Sequence, residues 1–312
     1  MNLLITLGKE RQMKTLLYLS RICILLLASL SSGSLFAAQF STFDFKVAEQ
    51  GDSKKPSVIL IPGLMSDASV YDNLSIALQA NYQVHTLSVR GFAETPPTDE
   101  AFSLQALVDD ILLYSEYKNL EQPHIIGHSM GGLTAFILAA QHEDKIGKVI
   151  SIDGLPFIGP IFTGSNQTSV DDLQKQAQMM QSMFERMTSA QLAAQTKMGL
   201  HIQATAERDK ARVLDMAQRS DAKTVGEAMY SVMTTDMRKA LESSNTSILL
   251  LGASGAFTTS EQHAATELIY KEQFNAVKNA KVVMNTSSRH FMMFDQADWV
   301  SIRVLEFLGE SI

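Results

Sequence analysis

The hexapeptide GHSMGG at residues 127–132 decides the fold of this chain. It follows a short apolar run, His124–Ile126, and precedes a helical pattern, Gly131–Gln141, so that a serine stands at a sharp turn between a predicted strand and a predicted helix. Side chains two positions before and after Ser129 would collide with the neighbouring strand and helix, which explains glycine at both places. The helix also points its first amides toward the serine and favours negative charge there. The sequence therefore predicts that Ser129 is an exposed nucleophile.

Around this turn, short apolar runs alternate with helical patterns, which predicts a mostly parallel sheet with helical crossovers. Several runs are rich in Leu and β-branched residues without polar alternation, as expected for strands that are covered on both faces. The predicted strands are Phe43–Val47, Ser57–Ile61, Gln83–Ser88, His124–Ile126, Lys148–Ile152, Ser247–Leu251 and Lys281–Met284. The predicted helices between and after them are Tyr71–Ala80, Ser103–Tyr117, Gly131–Gln141, Thr259–Asn279 and Trp299–Leu308.

The region after the fifth predicted strand interrupts this rhythm, because it contains helical patterns and no convincing strand. The three patterns cover about 170–199, 203–219 and 222–242. In the first of them, apolar residues recur at steps of three and four, as on one face of a helix. We interpret residues 156–246 as a helical insertion between the strand that ends near Ile152 and the strand that starts near Ser247. The insertion is part of a single domain, residues 39–312.

Four local motifs, by their order and spacing, resemble those of the α/β-hydrolase superfamily. They are IPGLM at 61–65, VRGFAE at 89–94, the hexapeptide at 127–132 and RHF at 289–291. The resemblance implies the α/β-hydrolase fold, a doubly wound and mostly parallel sheet with the insertion as a helical cap over the site. It also implies that the first motif helps to build an oxyanion hole and that the last carries the catalytic histidine. The second motif departs from the family pattern, because Ala93 replaces its second glycine.

Among the seven histidines, His290 best fits the base of a serine hydrolase. It follows the last predicted strand after a short polar loop, and open α/β sheets carry their chemistry on loops at the carboxyl ends of strands. The other histidines are His85 and His124 in predicted strands, His142, His201 and His263 in helical patterns, and His128. We expect the His128 side chain to point away from Ser129 and to pack.

The acid partner of His290 is not where the family usually carries it. The loop after the strand Ser247–Leu251 has no carboxylate, and the next acid, Glu261, is equally well explained as a charge at a helix N-terminus. Asp153 closes the strand that ends at Ile152, and some family members place the acid after this earlier strand. The chain order Ser129, Asp153, His290 keeps the family's order. We predict that Asp153 is the acid, with Glu261 as the alternative.

By resemblance, the expected function is hydrolysis of a carboxylic ester through an acyl-enzyme. Ser129 would be the nucleophile, His290 the base and Asp153 the acid that orients it, and the backbone amides of Leu64 and Met130 would form the oxyanion hole. No metal or organic cofactor is implied. An amidase, a lactonase or a perhydrolase would use the same residues, and a non-catalytic binding protein could keep the same fold.

The composition excludes several classes of protein. The 312 residues are 46% hydrophobic and 19% charged, which is too apolar for a disordered chain. A formal charge of −7 without basic blocks makes nucleic-acid binding an unfavoured function. The single cysteine, Cys23, excludes an intramolecular disulfide and a zinc site built from cysteines.

Nine of the sixteen methionines lie in the predicted cap. Methionine is flexible and polarizable, which suits an adaptable apolar surface. We therefore expect a small-molecule substrate with an apolar acyl or alcohol group, and ordinary packing between cap and core is the alternative explanation.

The N-terminus has the three-part pattern of a secretory signal. Basic residues between Lys9 and Arg21 precede the apolar run Ile22–Leu30, and small residues follow. The run is far shorter than the roughly 20 residues that span a bilayer. We expect residues 1–38 to be a signal peptide that is cleaved near Ala37 or Ala38. The product would be periplasmic or secreted, without a stable membrane span, and an uncleaved anchor is the alternative.

Overall fold

The structure, a computed structural model, describes residues 43–310 of the chain. The predicted signal segment and its cleavage sites lie outside these residues. Residues 43–310 contain seven strands, and each predicted strand overlaps one of them. They are β1 Phe45–Gln50, β2 Ser57–Ile61, β3 Gln83–Val89, β4 His124–His128, β5 Val149–Ile152, β6 Ile248–Ala253 and β7 Ala280–Asn285.

The strands form one sheet in the order β1-β3-β2-β4-β5-β6-β7. Strand β1 runs antiparallel to β3, and all other neighbouring strands are parallel. In β2, Ile59 and Ile61 pack into the core on one face of the sheet, while Val58 and Leu60 pack into the core on the other. Because both faces are covered, the strand needs no polar alternation. The predicted α/β class with a mostly parallel, doubly wound sheet is confirmed.

Helices cover both faces of the sheet and fill the long segment between β5 and β6. In the described part of the chain, the α-helices before β5 are α1 Asp72–Leu78, α2 Leu104–Lys118 and α3 Met130–Gln141. Those between β5 and β6 are α4 Gly159–Thr163, α5 Val170–Phe184, α6 Ser189–Met198, α7 Leu200–Gln203, α8 Glu207–Gln218, α9 Ala222–Thr234 and α10 Arg238–Leu241. Those after β6 are α11 Ser260–Glu272, α12 Met292–Asp295 and α13 Ala297–Leu308. No helix within residues 43–310 has both the length and the hydropathy needed to cross a membrane.

Three predicted helices differ from the observed ones. The pattern over 222–242 is the two helices α9 and α10, because Thr235 leaves the helical conformation. The pattern over 170–199 is two helices, because Thr188 starts α6 with a capping box in which the Thr188 and Gln191 side chains each accept from the other's backbone amide. The helix predicted over Thr259–Asn279 ends at Glu272, and the buried Phe274 and Val277 belong to turns after it. Their spacing of three continues a helical pattern in the sequence but not in the backbone.

The segment between β5 and β6, here called the cap, has a small core of its own and rests on two loops of the sheet. Phe157, Leu173, Ala177 and Met233 form that core. The Thr196 hydroxyl of α6 contacts the Met65 sulfur at 4.0 Å in the loop after β2. The Asp221 amide, just before α9, donates to the carbonyl of Gly91 at 2.8 Å in the loop after β3. The cap is therefore attached at the edge of the sheet where the parallel strands end.

Candidate active site

Ser129 lies in a strained turn between β4 and α3. Its φ of 53° and ψ of −116° place a non-glycine residue in a region that L-residues rarely adopt. The Ser129 amide donates to the Ile152 carbonyl at 3.0 Å, and the Ser129 carbonyl accepts from the amides of Gly132 and Leu133 in α3. The turn is thus fixed on one side by β5 and on the other by the helix, and the serine side chain stays half-buried at the end of the sheet.

The two glycines that flank this turn allow close backbone contacts. A Cβ atom on Gly127 would lie 2.0 Å from the Gly131 carbonyl oxygen, and one on Gly131 would lie 2.1 Å from the Ile61 carbonyl oxygen. No real Cβ tolerates such distances, and the opposing atoms belong to the backbone, which cannot move independently. The physical reason given for these glycines in the sequence is therefore present in the structure.

We expect Gly127→Ala to destabilise the whole domain. Because the added methyl group forces backbone apart, the cost should be about 3 kcal/mol, at the upper end for overpacking, and the midpoint of thermal unfolding should fall by roughly 6 °C or more. The matched control is Gly199→Ala in the cap, where φ is −95° and the nearest atom to a new Cβ is 3.7 Å away. A similar loss of melting temperature in both variants would contradict this explanation.

The structure places Asp153 and His290 in direct contact. His290 Nδ1 lies 2.6 Å from Asp153 Oδ2. Because an ionised carboxylate only accepts hydrogen bonds, Nδ1 carries the proton and Nε2 is the nitrogen with the free lone pair. The Asp153 side chain is 7% exposed and the His290 side chain 27% exposed. The acid is thus enclosed, while the imidazole reaches toward solvent.

Two further donors hold the Asp153 carboxylate. Oδ1 accepts from the Ala253 amide at 2.8 Å and from the Tyr270 hydroxyl at 2.8 Å. Burial raises the pKa of Tyr270 well above its usual value, and the charge of Asp153 and their hydrogen bond raise it further, so Tyr270 stays protonated as a donor. The last residue of β6, Ala253, therefore supports the acid through its backbone amide, although the loop after it has no carboxylate of its own. Tyr270 was not predicted, because nothing in a helical pattern indicates a contact 117 residues away.

Glu261, the alternative acid, lies elsewhere. It is exposed in the first turn of α11, and hydrogen bonds from its own amide and from the Thr259 side chain lower its pKa. Within residues 43–310 it forms no hydrogen bond with His290. Asp295, at the end of α12, instead bonds the amide of Arg289 and the side chain of Thr205.

His128 packs beneath the site in a neutral form. It is 1% exposed, its ring centre lies 4.6 Å from that of His290, and its Nε2 is 3.1 Å from the His290 carbonyl oxygen. Burial, and secondly the neighbouring His290, lower the pKa of His128 far below its usual range, and the hydrogen bond to that carbonyl opposes this shift. A neutral His128 with its proton on Nε2 therefore donates to the backbone of His290 without adding a positive charge beside it.

The segments that carry Leu64 and Met130 both adjoin Ser129. A Cβ on Gly63 would lie 3.1 Å from Ser129 Cβ, so the loop before Leu64 is in close contact with the turn. Met130 is the first residue of α3, and the amides of a helix's first turn have no acceptor within the helix. The amides of Gly132 and Leu133 donate to the Ser129 carbonyl, which leaves those of Met130 and Gly131 as the first-turn donors for an anion that forms at Ser129.

Ala93, which replaces the second glycine of the family motif, adopts a backbone conformation that glycine would favour. Ala93 has φ of 47°, in the left-handed region that favours glycine, and costs on the order of 1 kcal/mol there. Its amide donates to the Ser220 hydroxyl of the cap at 2.9 Å. The loop after β3 thus keeps the shape of a glycine-containing loop despite the substitution.

Comparison with known proteins supports the fold described above. A family model described as the alpha/beta hydrolase fold matches residues 56–249. A pimeloyl-[acyl-carrier protein] methyl ester esterase of Aeromonas hydrophila is 28% identical over 131 residues, which cover 38% of this chain and 50% of that protein. The 3-oxoadipate enol-lactonase 1 of Acinetobacter baylyi is 32% identical over 88 residues, which cover 28% of this chain and 33% of that protein. The chain thus matches half or less of the length of these curated relatives.

Solved structures show the same fold over more of the chain. The enol-lactonase from Burkholderia xenovorans LB400 superposes with a TM-score of 0.67 and 20% identity, covering 85% of this chain and 96% of that chain. At this identity the likeness establishes the fold and not the substrate. The family model, however, spans more than half of the 312 residues and includes the Ser129 turn and Asp153. The chain therefore belongs to the α/β hydrolase fold family.

Proposed function

We propose that the protein is a serine hydrolase that cleaves carboxylic esters through an acyl-enzyme. The observation that carries this proposal is the 2.6 Å hydrogen bond between His290 and the enclosed Asp153, at the end of the sheet that also presents Ser129. A nucleophile at a strained turn, an imidazole with one free nitrogen and a carboxylate that fixes the other nitrogen are the parts that acyl transfer requires. The matched relatives include an esterase and a lactonase, which both open a bond between an acyl carbon and oxygen.

In this mechanism Ser129 attacks the acyl carbon while His290 Nε2 takes the hydroxyl proton. Asp153 holds the imidazole in the tautomer that leaves Nε2 basic and stabilises its charged form. The amides of Leu64 and Met130 stabilise the tetrahedral oxyanion, and each such donor lowers the barrier by about 3 kcal/mol. His290 then protonates the leaving alcohol. A water molecule, activated by the same imidazole, attacks the acyl-enzyme and releases the acid.

The mechanism requires a hydrogen bond between the Ser129 hydroxyl and His290. Within residues 43–310, the Ser129 hydroxyl makes no hydrogen bond with His290. Catalytic hydrogen bonds of ligand-free enzymes often tighten only when substrate binds. We therefore propose that the serine side chain turns toward Nε2 in the substrate complex.

The nine cap methionines fall into three groups by exposure, and the partly buried group supports the proposal of an apolar substrate. Met179, Met183 and Met198 are exposed, and Met216, Met233 and Met237 are buried. Met180, Met187 and Met229 are partly buried. They pack against the core on the face of the sheet that contains Ile59 and Ile61, and Leu64 and Met65 pack against the same core. This last group suits an adaptable apolar wall, since methionine side chains adjust to ligands of different shape. We propose that this wall receives the acyl or alcohol chain.

We expect the specificity constant to rise with acyl chain length. Each buried methylene contributes about 0.8 kcal/mol, or roughly fourfold in kcat/KM, so p-nitrophenyl butyrate and hexanoate should react faster than the acetate. Steady-state kinetics on this series measure the effect, with the rates of spontaneous hydrolysis subtracted. A preference for acetate over every longer chain would refute the apolar pocket without affecting the proposed triad.

A further inference from the structure

The backbone of His290 is bonded to two different parts of the molecule. Its carbonyl accepts from His128, the last residue of β4. Its amide donates to the carbonyl of Ile202 at 3.1 Å, and the next amide, that of Phe291, donates to the carbonyl of Gln203 at 2.8 Å. Ile202 and Gln203 belong to α7 in the cap. The backbone around the proposed base is therefore bonded to β4 on one side and to α7 of the cap on the other.

Asp295 adds a second connection between the loop of His290 and the cap. Its Oδ1 accepts from the Thr205 amide at 2.8 Å, and its Oδ2 accepts from the Thr205 hydroxyl at 3.0 Å. The same Oδ2 accepts from the Arg289 amide at 2.8 Å, and Arg289 Nη1 donates to the Ala204 carbonyl at 2.9 Å. One carboxylate thus joins the residue before His290 to the turn that follows α7.

We infer that Asp295 is a positioning residue, which sets the place of the His290 ring by tying its loop to the cap turn at 204–205. This inference rests on the proposed function, in which His290 is the base. The Asp153 contact fixes only one ring nitrogen, whereas proton transfer needs the other nitrogen within a fraction of an ångström of its working position. The loop 289–291 supplies the remaining restraint, and Asp295 holds that loop by charge-assisted hydrogen bonds.

The first test is Asp295→Asn, with Asp298→Asn as the matched control. Asp298 is an exposed carboxylate three residues further along, at the start of α13. We expect Asp295→Asn to lower kcat for the best ester about five- to tenfold and to leave KM within twofold, because the change affects the placement of the base and not the binding surfaces. The backbone amides of His290 and Phe291 should also exchange faster with deuterium. The control should alter neither measurement.

A second variant tests whether the effect passes through the cap. Thr205→Val removes the hydroxyl donor and keeps the backbone amide. We expect a smaller fall in kcat, again without a change in KM. The double variant should be no slower than Asp295→Asn alone, because both substitutions act on one contact. Fully multiplicative effects in the double variant would show that Asp295 does not act through the cap turn.

The exchange measurement separates this inference from the proposed function. Unchanged exchange at His290 and Phe291 in Asp295→Asn overturns the connection to the cap, even in an active esterase. A raised KM with an unchanged kcat overturns the positioning role. If the unaltered protein hydrolyses no substrate, the proposed function and the positioning role both fail, and faster exchange then supports only the structural connection.

Discussion

Ser129→Ala should abolish hydrolysis while the protein stays folded. The serine oxygen is the nucleophile in the proposed mechanism, and we expect kcat to fall on the order of 10⁵-fold or more, as when the nucleophile of a hydrolase triad is removed. Alanine keeps the Cβ atom and the backbone contacts to Ile152, Gly132 and Leu133, so thermal unfolding should change little. The strained backbone at this position would stay as strained as before.

The measurement is a panel of esters, amides and lactones, run on both proteins. The unaltered protein should turn over esters fastest, and a fluorophosphonate probe should label the peptide that contains Ser129 and no other. Ser243→Ala, at an exposed position in the cap, is the control and should keep full activity. Undiminished turnover by Ser129→Ala would refute the mechanism. Lack of any turnover by the unaltered protein would favour the non-catalytic binding protein, and amides as best substrates would favour an amidase.

Asp153→Asn should be nearly as damaging, for a reason that the hydrogen bonds make explicit. The amide of Ala253 and the hydroxyl of Tyr270 both donate to Oδ1, so an asparagine keeps its carbonyl oxygen there and turns its NH₂ group toward His290. The imidazole must then accept at Nδ1 and carry its proton on Nε2. That tautomer cannot take the proton of Ser129, and we expect kcat to fall on the order of 10³- to 10⁴-fold.

Glu261→Gln is the matched control for this experiment. Its carboxylate is exposed at a helix start, and we expect its loss to leave kcat within about twofold, since exposed helix charges contribute only a few tenths of a kcal/mol to 1 kcal/mol of stability. Circular dichroism of both variants checks that they fold. A severe loss in Glu261→Gln together with an active, folded Asp153→Asn would reverse the assignment of the acid.

The sequence was most informative where the physics is local. The turn at 127–132 and the two-sided apolar strands could be predicted, because steric exclusion and burial on both faces leave direct marks on the residues. The prediction of strand β1 was less accurate, because it covered residues 43–47 whereas the observed strand covers residues 45–50. It pairs on one side only, and its outer half is exposed, so its residues carry little of the core pattern.

The support of the site could not be predicted, because it consists of long-range contacts between ordinary residues. Tyr270 reads as one apolar position of a helix, and Ala253 contributes only its amide, which every residue but proline possesses. Asp295 stands shortly before the last predicted helix, where a carboxylate is explained as a charge near a helix start. In each case the position of the residue in the folded chain, and not its type, lets it support the site.

The hydrogen bonds from α7 and its following turn to residues 289–295 also bear on how such a protein can be redesigned. The cap is one continuous segment between β5 and β6. An engineer could therefore try to replace it with the cap of another hydrolase by joining the two chains at these strands. Such a graft would remove the acceptors of the His290 and Phe291 amides and the two Thr205 donors to Asp295. In the proposed function, the same insertion therefore contributes both the apolar wall for the substrate and the contacts that place His290, so a chimera must carry residues 202–205 or an equivalent turn with it.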